Sequence, residues 1–269
     1  MNSKHNISAI AAFILTIFVG MNAAIAQDQS SANTSSTANT RKFSFGIFGG
    51  AALQQHAANF PEFSSVPVFT PRGDGQEPPN FGNVNTIGFA LGILAEYKIT
   101  PELTVGLRAG YAPQTASFLT SHQRRFGNPN GASELGTIQY SLATTVNTLG
   151  AEPYVKYFIW EGLHASLGAR VNLVLSSSYA QAETLLSPTT GGFTPSFSKV
   201  ANERTGEAIP DVSAVQVAGV LGIGYDVSLG DRLVITPEVS YSLGLIPVVA
   251  NLSWRVNDLR GSISARIRF

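Results

Sequence analysis

From residue 42 to residue 269 the chain places apolar and polar residues at alternating positions. This is the period of a β-strand whose two faces meet different surroundings. The alternation predicts eight strands, over 42–53, 86–98, 103–111, 145–159, 163–176, 212–229, 233–245 and 259–269. One face is aliphatic and aromatic throughout: Phe45 and Ile47 in the first, Phe89, Leu91 and Ile93 in the second, Val215, Val217, Leu221 and Ile223 in the sixth. The other face carries Glu96, Arg108, Glu152, Lys156, Arg170, Asp226, Glu238 and Arg266. Water does not require a face free of charge, whereas lipid does. Each strand is near or above the roughly 9–11 residues with which a tilted strand crosses a bilayer. The charged face rules out an apolar ligand cavity inside a soluble barrel.

The connections support a membrane barrel. Thr100-Pro101-Glu102, Trp160-Glu161-Gly162 and Gly230-Asp231-Arg232 are tight turns, and the segments 54–85, 112–144, 177–211 and 246–258 are long. Short and long connections alternate strictly. An all-β, eight-stranded, antiparallel up-and-down transmembrane barrel has short periplasmic turns, long extracellular loops and both termini on the periplasmic side. Phe43, Tyr97, Tyr157, Trp160, Tyr225 and Phe269 fall at the turn-side ends of strands, the place of an interfacial aromatic girdle.

The N-terminus adds a compartment. Lys4 and His5 precede an apolar run over 7–19, and Ala24-Ile25-Ala26 fits a small-x-small cleavage pattern, so 1–26 reads as a signal peptide. Residues 27–41, rich in Ser, Thr and Asn, read as a flexible leader, and 42–269 as the barrel. The chain has no Cys, hence no disulfide and no thiolate metal site. Lys plus Arg equals Asp plus Glu at 17 each, which removes any bulk charge for nucleic acid. Charged residues are only 13% of the chain and mean hydropathy is +0.12, yet no long apolar run follows residue 26. A chain this apolar without a spanning helix fits a barrel, in which only alternate residues face lipid. No cofactor-binding or metal-ligand spacing is found, and the Gly-rich stretches are strand residues.

Eight strands enclose a lumen that side chains can fill. Arginines opposite carboxylates there predict internal ion pairs and a polar plug. The inward glycines, Gly46, Gly50, Gly92, Gly106, Gly110, Gly222 and Gly224, are expected to make way for the long arginines. Function then falls to the loops. Loop one holds Phe60, Phe63, Phe69 and five prolines, loop two His122, Arg124, Arg125 and Phe126, and loop three Phe193, Phe197, Lys199 and Arg204. A basic and aromatic patch over 122–126 is of the kind that meets lipopolysaccharide phosphates, although a solvated loop tip is the commoner use of such residues.

The last strand resembles the assembly signal of bacterial outer-membrane barrels, with Ser262, Ser264, Ile267 and Phe269 in its defined places and Ser264 standing where Gly is usual. The chain as a whole resembles the small eight-stranded outer-membrane barrels of the outer-membrane-protein-A transmembrane type, through 43–50, 219–229, 237–245 and the terminal strand. A PorT-type secretion barrel is a second resemblance. The likeness implies a bacterial outer-membrane location. It also implies contact with outer-membrane lipids and lipopolysaccharide, and delivery by periplasmic chaperones and the barrel-assembly machinery. No peptidoglycan-binding domain is expected. The function implied is a structural or binding scaffold acting through its loops on an unidentified partner, with a small porin-like channel or secretion-assembly role as the alternative. Some small barrels hydrolyse lipids with a His and a Ser two apart, and His164-Ala165-Ser166 has that spacing. It lies at the periplasmic end and faces the lumen, and no acid stands at triad spacing from His56 or His122, so no enzyme is expected.

Overall fold

The computed structural model describes residues 41–61, 80–127, 133–189, 192–193 and 198–269. The expected signal peptide, nearly all of the leader, and Phe63, Phe69 and Phe197 of the loops lie outside these residues. Ten strands form: β1 (Phe43–Asn59), β2 (Val84–Lys98), β3 (Leu103–Gly127), β4 (Ser133–Phe158), β5 (Leu163–Ser187), β6 (Val200–Glu207), β7 (Val215–Tyr225), β8 (Val227–Leu229), β9 (Leu233–Gly244) and β10 (Ser253–Arg268). All pairings are antiparallel, in the order β10-β1-β2-β3-β4-β5-β7-β9, and β9 pairs with β10 to close the ring. β7 and β8 are one crossing strand. Gly224 faces Glu238 and Val227 faces Ile235 in a single continuous register, and Pro237, which has no N–H to donate, stands opposite the break. The ring therefore has eight crossing strands, and β6 lies outside it as a ribbon on β5.

The apolar face of each crossing strand is the outer one. Ile47, Ile87, Leu167, Leu221, Val239 and Ile263 all lie on it exposed, Ile87 at 80%. An exposed apolar belt on every strand is stable only against lipid. Its lower rim carries the aromatic residues: Phe43 pairs with Tyr97, Leu103 with Tyr157 and Leu163 with Tyr225, while Trp160 is 77% exposed in its turn. The three tight turns stand where the alternation predicts them.

The strands extend much further than the alternation suggests at the opposite end. β3 has 25 residues, β4 26 and β5 25, so most of the segments 112–144 and 177–211 is hairpin and ribbon rather than loop. β10 likewise begins at Ser253, inside the expected fourth loop. In β5 a register shift falls between the pairs Thr148↔Val174 and Asn147↔Ser176, leaving Leu175 as the extra residue. A bulge of one residue exchanges the two faces of the strand. Odd positions up to Leu173 point outward, whereas Tyr179, Gln181, Glu183 and Leu185 beyond it are buried.

Above the belt the interior is apolar. Phe60, Phe81, Phe118, Tyr140, Leu142, Val146 and Trp254 form its centre, with Val248 and Val249 from the segment before β10. The rings of Phe118 and Trp254 meet edge to face at 5.6 Å, and Phe60 lies 5.8 Å from Phe118 and 5.9 Å from Trp254. Phe60 is thus core rather than a solvated loop residue.

Candidate functional site

The lumen within the belt is the largest grouping of chemically active side chains among the described residues. Five bases (Arg108, Lys156, Arg170, Arg260, Arg266) and five acids (Glu96, Glu152, Asp226, Glu238, Asp258) are buried there or nearly so. They point inward because the outward positions of the same strands must be apolar, and parity then leaves the charges no other side.

They divide into two joined groups. Nearest the turns, Lys156 donates to Glu96 Oε1 at 2.6 Å, and Arg266 Nε lies 3.0 Å from Glu96 Oε2. Arg266 also donates to Asp226, whose other oxygen accepts from the Thr236 hydroxyl at 2.8 Å. The Tyr154 hydroxyl donates to Glu96 at 2.7 Å, and the Arg108 guanidinium lies 4.4 Å above the Tyr154 ring centroid. Higher in the lumen Arg108 grips Glu238 with two hydrogen bonds of 2.7 Å and reaches Glu152 at 3.0 Å. Arg170 joins Glu152 (2.7 Å) to Asp258 (2.9 Å). A two-pronged guanidinium–carboxylate contact fixes both partners in geometry as well as in charge.

The eight lumen residues singled out from the sequence, Glu96, Arg108, Glu152, Lys156, Arg170, Asp226, Glu238 and Arg266, all sit in this network. A strand over 259–269 puts Asp258 in the preceding connection, and it sets Arg260 on the polar face beside Arg266 without naming an acid for it. β10 runs back to Ser253, so both face inward. The alternation Asp258, Arg260, Ser262, Ser264, Arg266 carried the signal.

The inward glycines serve neighbours other than arginine for the most part. A Cβ on Gly106 would fall 2.4 Å from the Tyr154 ring, and one on Gly92 or Gly110 would meet the Phe48 ring at 2.7–2.8 Å. At Gly46 the close atoms are the Ala265 carbonyl oxygen and the Cα and Cβ of Arg266, so there too the neighbouring strand, and not the long arm of an arginine, is what a Cβ would meet. Above the charges Gln114 donates to Gln216 across the lumen at 2.9 Å. Two small, partly open cavities in this region each hold about 20 Å³, the room of a single water.

His164 is fully buried, with Nδ1 3.6 Å from Asp226 and Nε2 3.7 Å from Glu238. Ser166 is buried beside it. Neither faces lipid. His56 is not in a loop: it lies in β1 above the belt, where Leu53 marks the belt's upper edge. Its Nδ1 accepts from the Trp254 indole N–H at 3.2 Å, so the ring proton is on Nε2, 3.3 Å from the Thr86 hydroxyl. Burial pulls its pKa down to about 4, against a raising contribution from the Thr115 backbone. His122 and the backbone of Arg124, Arg125 and Phe126 belong to β3, not to a loop tip. On the outer ribbon Glu207 accepts from Tyr179 (2.9 Å) and Arg204 (3.0 Å), and the Arg204 contact holds its carboxyl below the usual range.

At the other end of the sheet the terminal residues are anchored by backbone. Phe269 N–H donates to the Phe43 carbonyl at 2.8 Å, and the two rings are 6.5 Å apart. Ile267 and Phe269 are exposed on the outer face, while Ser262 and Ser264 face inward.

No family model and no curated protein matches the chain. Solved structures similar to it include outer membrane protein AlkL in lipid bilayers (16% identity, 89% of this chain and 95% of that one, TM-score 0.38). Neisserial surface protein A (13%, 84% and 97%, 0.35) and OprG from Pseudomonas aeruginosa (14%, 85% and 97%, 0.32) are others.

Proposed function

We propose that the chain is an integral barrel of the bacterial outer membrane that acts as a closed scaffold or binding platform through its extracellular half. The observation that carries this reading is the filled interior. Paired charges occupy the lumen inside the belt, an aromatic core closes it above, and the described cavities between them are of single-water size. Moving a solute through would require breaking buried ion pairs.

The apolar belt supports the membrane location, with outer-membrane lipids and lipopolysaccharide as its surroundings. Periplasmic chaperones and the assembly machinery are its proposed partners during biogenesis. Ser262, Ser264, Ile267 and Phe269 provide the recognised strand, exposed along Ile267 and Phe269. The platform is built from the upper parts of β3, β4, β5 and β6, which hold a rigid surface well clear of the belt. A non-enzymatic role agrees with His164 and Ser166, which are both shut inside the lumen.

Planar-bilayer conductance of the refolded barrel, read beside its heat-modifiable mobility in detergent gels, tests the proposal. Folded and boiled samples should migrate differently, and no conductance of porin size should appear. A stable, ion-selective conductance would replace the scaffold with the small-channel reading.

A further inference from the structure

One of the two small cavities in the lumen differs from the other in the chemistry of its wall. It is lined by Arg108, Arg170, Arg260, Glu152, Asn172 and Tyr111, with Phe48 and small residues completing it. Residues bearing three guanidinium groups and one carboxylate therefore line one small space.

That carboxylate is already engaged. Glu152 Oε1 takes Arg108 at 3.0 Å and Oε2 takes Arg170 at 2.7 Å. Arg108 has a second partner in Glu238, outside the cavity wall. Arg170 and Arg260 divide a single carboxylate, Asp258, at 2.9 Å and 3.4 Å. Arg260 is the poorly served member. It is 8% exposed, the 3.4 Å contact is longer than a hydrogen bond to a carboxylate, and its Nε–H has no partner among the described residues. A buried charged donor without an acceptor is unstable, and a second guanidinium beside the shared Asp258 makes it more so.

The neighbouring cavity gives the contrast. It is lined by Gln114, Gln216 and Asp258, among others, and its unpartnered atoms include a donor, Gln216 Nε2, as well as the acceptors Gln114 Oε1 and Asp258 Oδ1. A water, which both donates and accepts, suits that set. In the first cavity the unpartnered atom belongs to Arg260, whose Nε–H is a cationic donor that the nearby Asp258 leaves without an acceptor.

We propose that the cavity bounded by Arg108, Arg170 and Arg260 binds one small monovalent anion, of chloride size, which completes the pairing of Arg260. The site lies in the lumen and does not depend on the platform role argued above. At about 20 Å³ its size suits a monatomic ion better than sulfate or a larger organic anion.

The test uses the refolded full barrel in detergent, with thermal unfolding read by gel mobility in sodium chloride, sodium bromide and sodium gluconate at equal ionic strength. A bound halide raises the midpoint by mass action, here by about 2–4 °C over gluconate. The variant Arg260→Gln should unfold at one midpoint in all three salts, and Arg260→Lys should keep part of the halide increment. Equal midpoints for the wild type, or an increment that survives in Arg260→Gln, would overturn the site. Should Arg260→Gln not refold, crystals of the wild type grown in bromide decide. An anomalous peak in the first cavity and none in the second supports the proposal, and water in both refutes it.

Discussion

Gln54 takes the place of a missing strand partner for Pro113. The β2–β3 ladder ends at the pair Leu91↔Tyr111, and in the same register the next outward residue of β3 would be Pro113. From β1, the Gln54 side chain passes over Gly88 of β2, where a Cβ would stand 2.3 Å from its Nε2. It donates to the Pro113 carbonyl at 2.7 Å and accepts from the Thr115 N–H at 3.3 Å. The Thr86 hydroxyl donates to the Thr115 carbonyl at 2.6 Å. The wall between β2 and β3 is therefore closed by side chains at this level, because buried backbone groups must find partners and Pro113 has no N–H with which to continue the ladder.

Gln54→Ala should open that seam. Two backbone groups lose their partner, at a cost of about 1–3 kcal/mol for each that stays dry. Amide exchange at Thr115 and its neighbours in β3 should quicken while exchange at Leu103–Tyr111 stays slow. Gly88→Val should do the same by displacing the Gln54 amide. Unchanged exchange in both variants would refute the role given to Gln54.

Glu238→Gln removes the two-pronged partner of Arg108 and leaves a buried guanidinium with Glu152 alone. The expected loss is about 3–5 kcal/mol, and Glu152→Gln, after which Arg108 keeps Glu238 and Arg170 keeps Asp258, should lose less. The denaturant midpoint of the gel-shifted band measures it. Glu207→Gln, on the exposed ribbon, is the control and should not move the midpoint.

His56 should make the barrel acid-sensitive. Its pKa is about 4 when folded and about 6.5 when unfolded, so the unfolded chain binds the extra proton between those values. Stability from this residue is complete above pH 6.5 and is lost as pH falls towards 4, by up to about 3 kcal/mol. Protonation would also set an Nδ1–H against the Trp254 N–H. Unfolding midpoints of wild type and His56→Gln across this range should converge as pH falls. A constant difference would contradict the assignment.

Phe269→Ala removes the ring that packs on Phe43 at the lower rim. It should reduce the amount of assembled barrel in the outer membrane more than shortening the segment 62–79 does. Normal levels of heat-modifiable protein in the membrane fraction would separate Phe269 from assembly.

The crossing part of the barrel was legible in the sequence because lipid enforces a single rule at every outward position. Ile87, Phe89, Leu91 and Ile93 stand on one parity and Glu96 on the other with little ambiguity. The same parity sets Glu96, Arg108, Glu152, Lys156, Arg170, Asp226, Glu238 and Arg266 on the inward side. Which acid meets which base was not legible. Arg108 and Glu238 are 130 residues apart, and their contact depends on ring closure through β10 and on the stagger between strands.

The extracellular half was misread for a physical reason. There the outside meets water, so the rule reverses on an unchanged parity: Arg108 and Phe118 both point inward, as do Glu152 and Leu142. A search for apolar outward positions stops where the belt stops. In β5 the bulge at Leu175 adds a true exchange of faces, which no fixed period can follow. Strand number, the sidedness of the turns and the inward side of the charges are written along the chain, since these follow from local alternation against lipid. The tertiary structure alone decided the aromatic core above the belt, the pairing of charges within it and the seam at Gln54, since each depends on residues that meet only when the sheet closes.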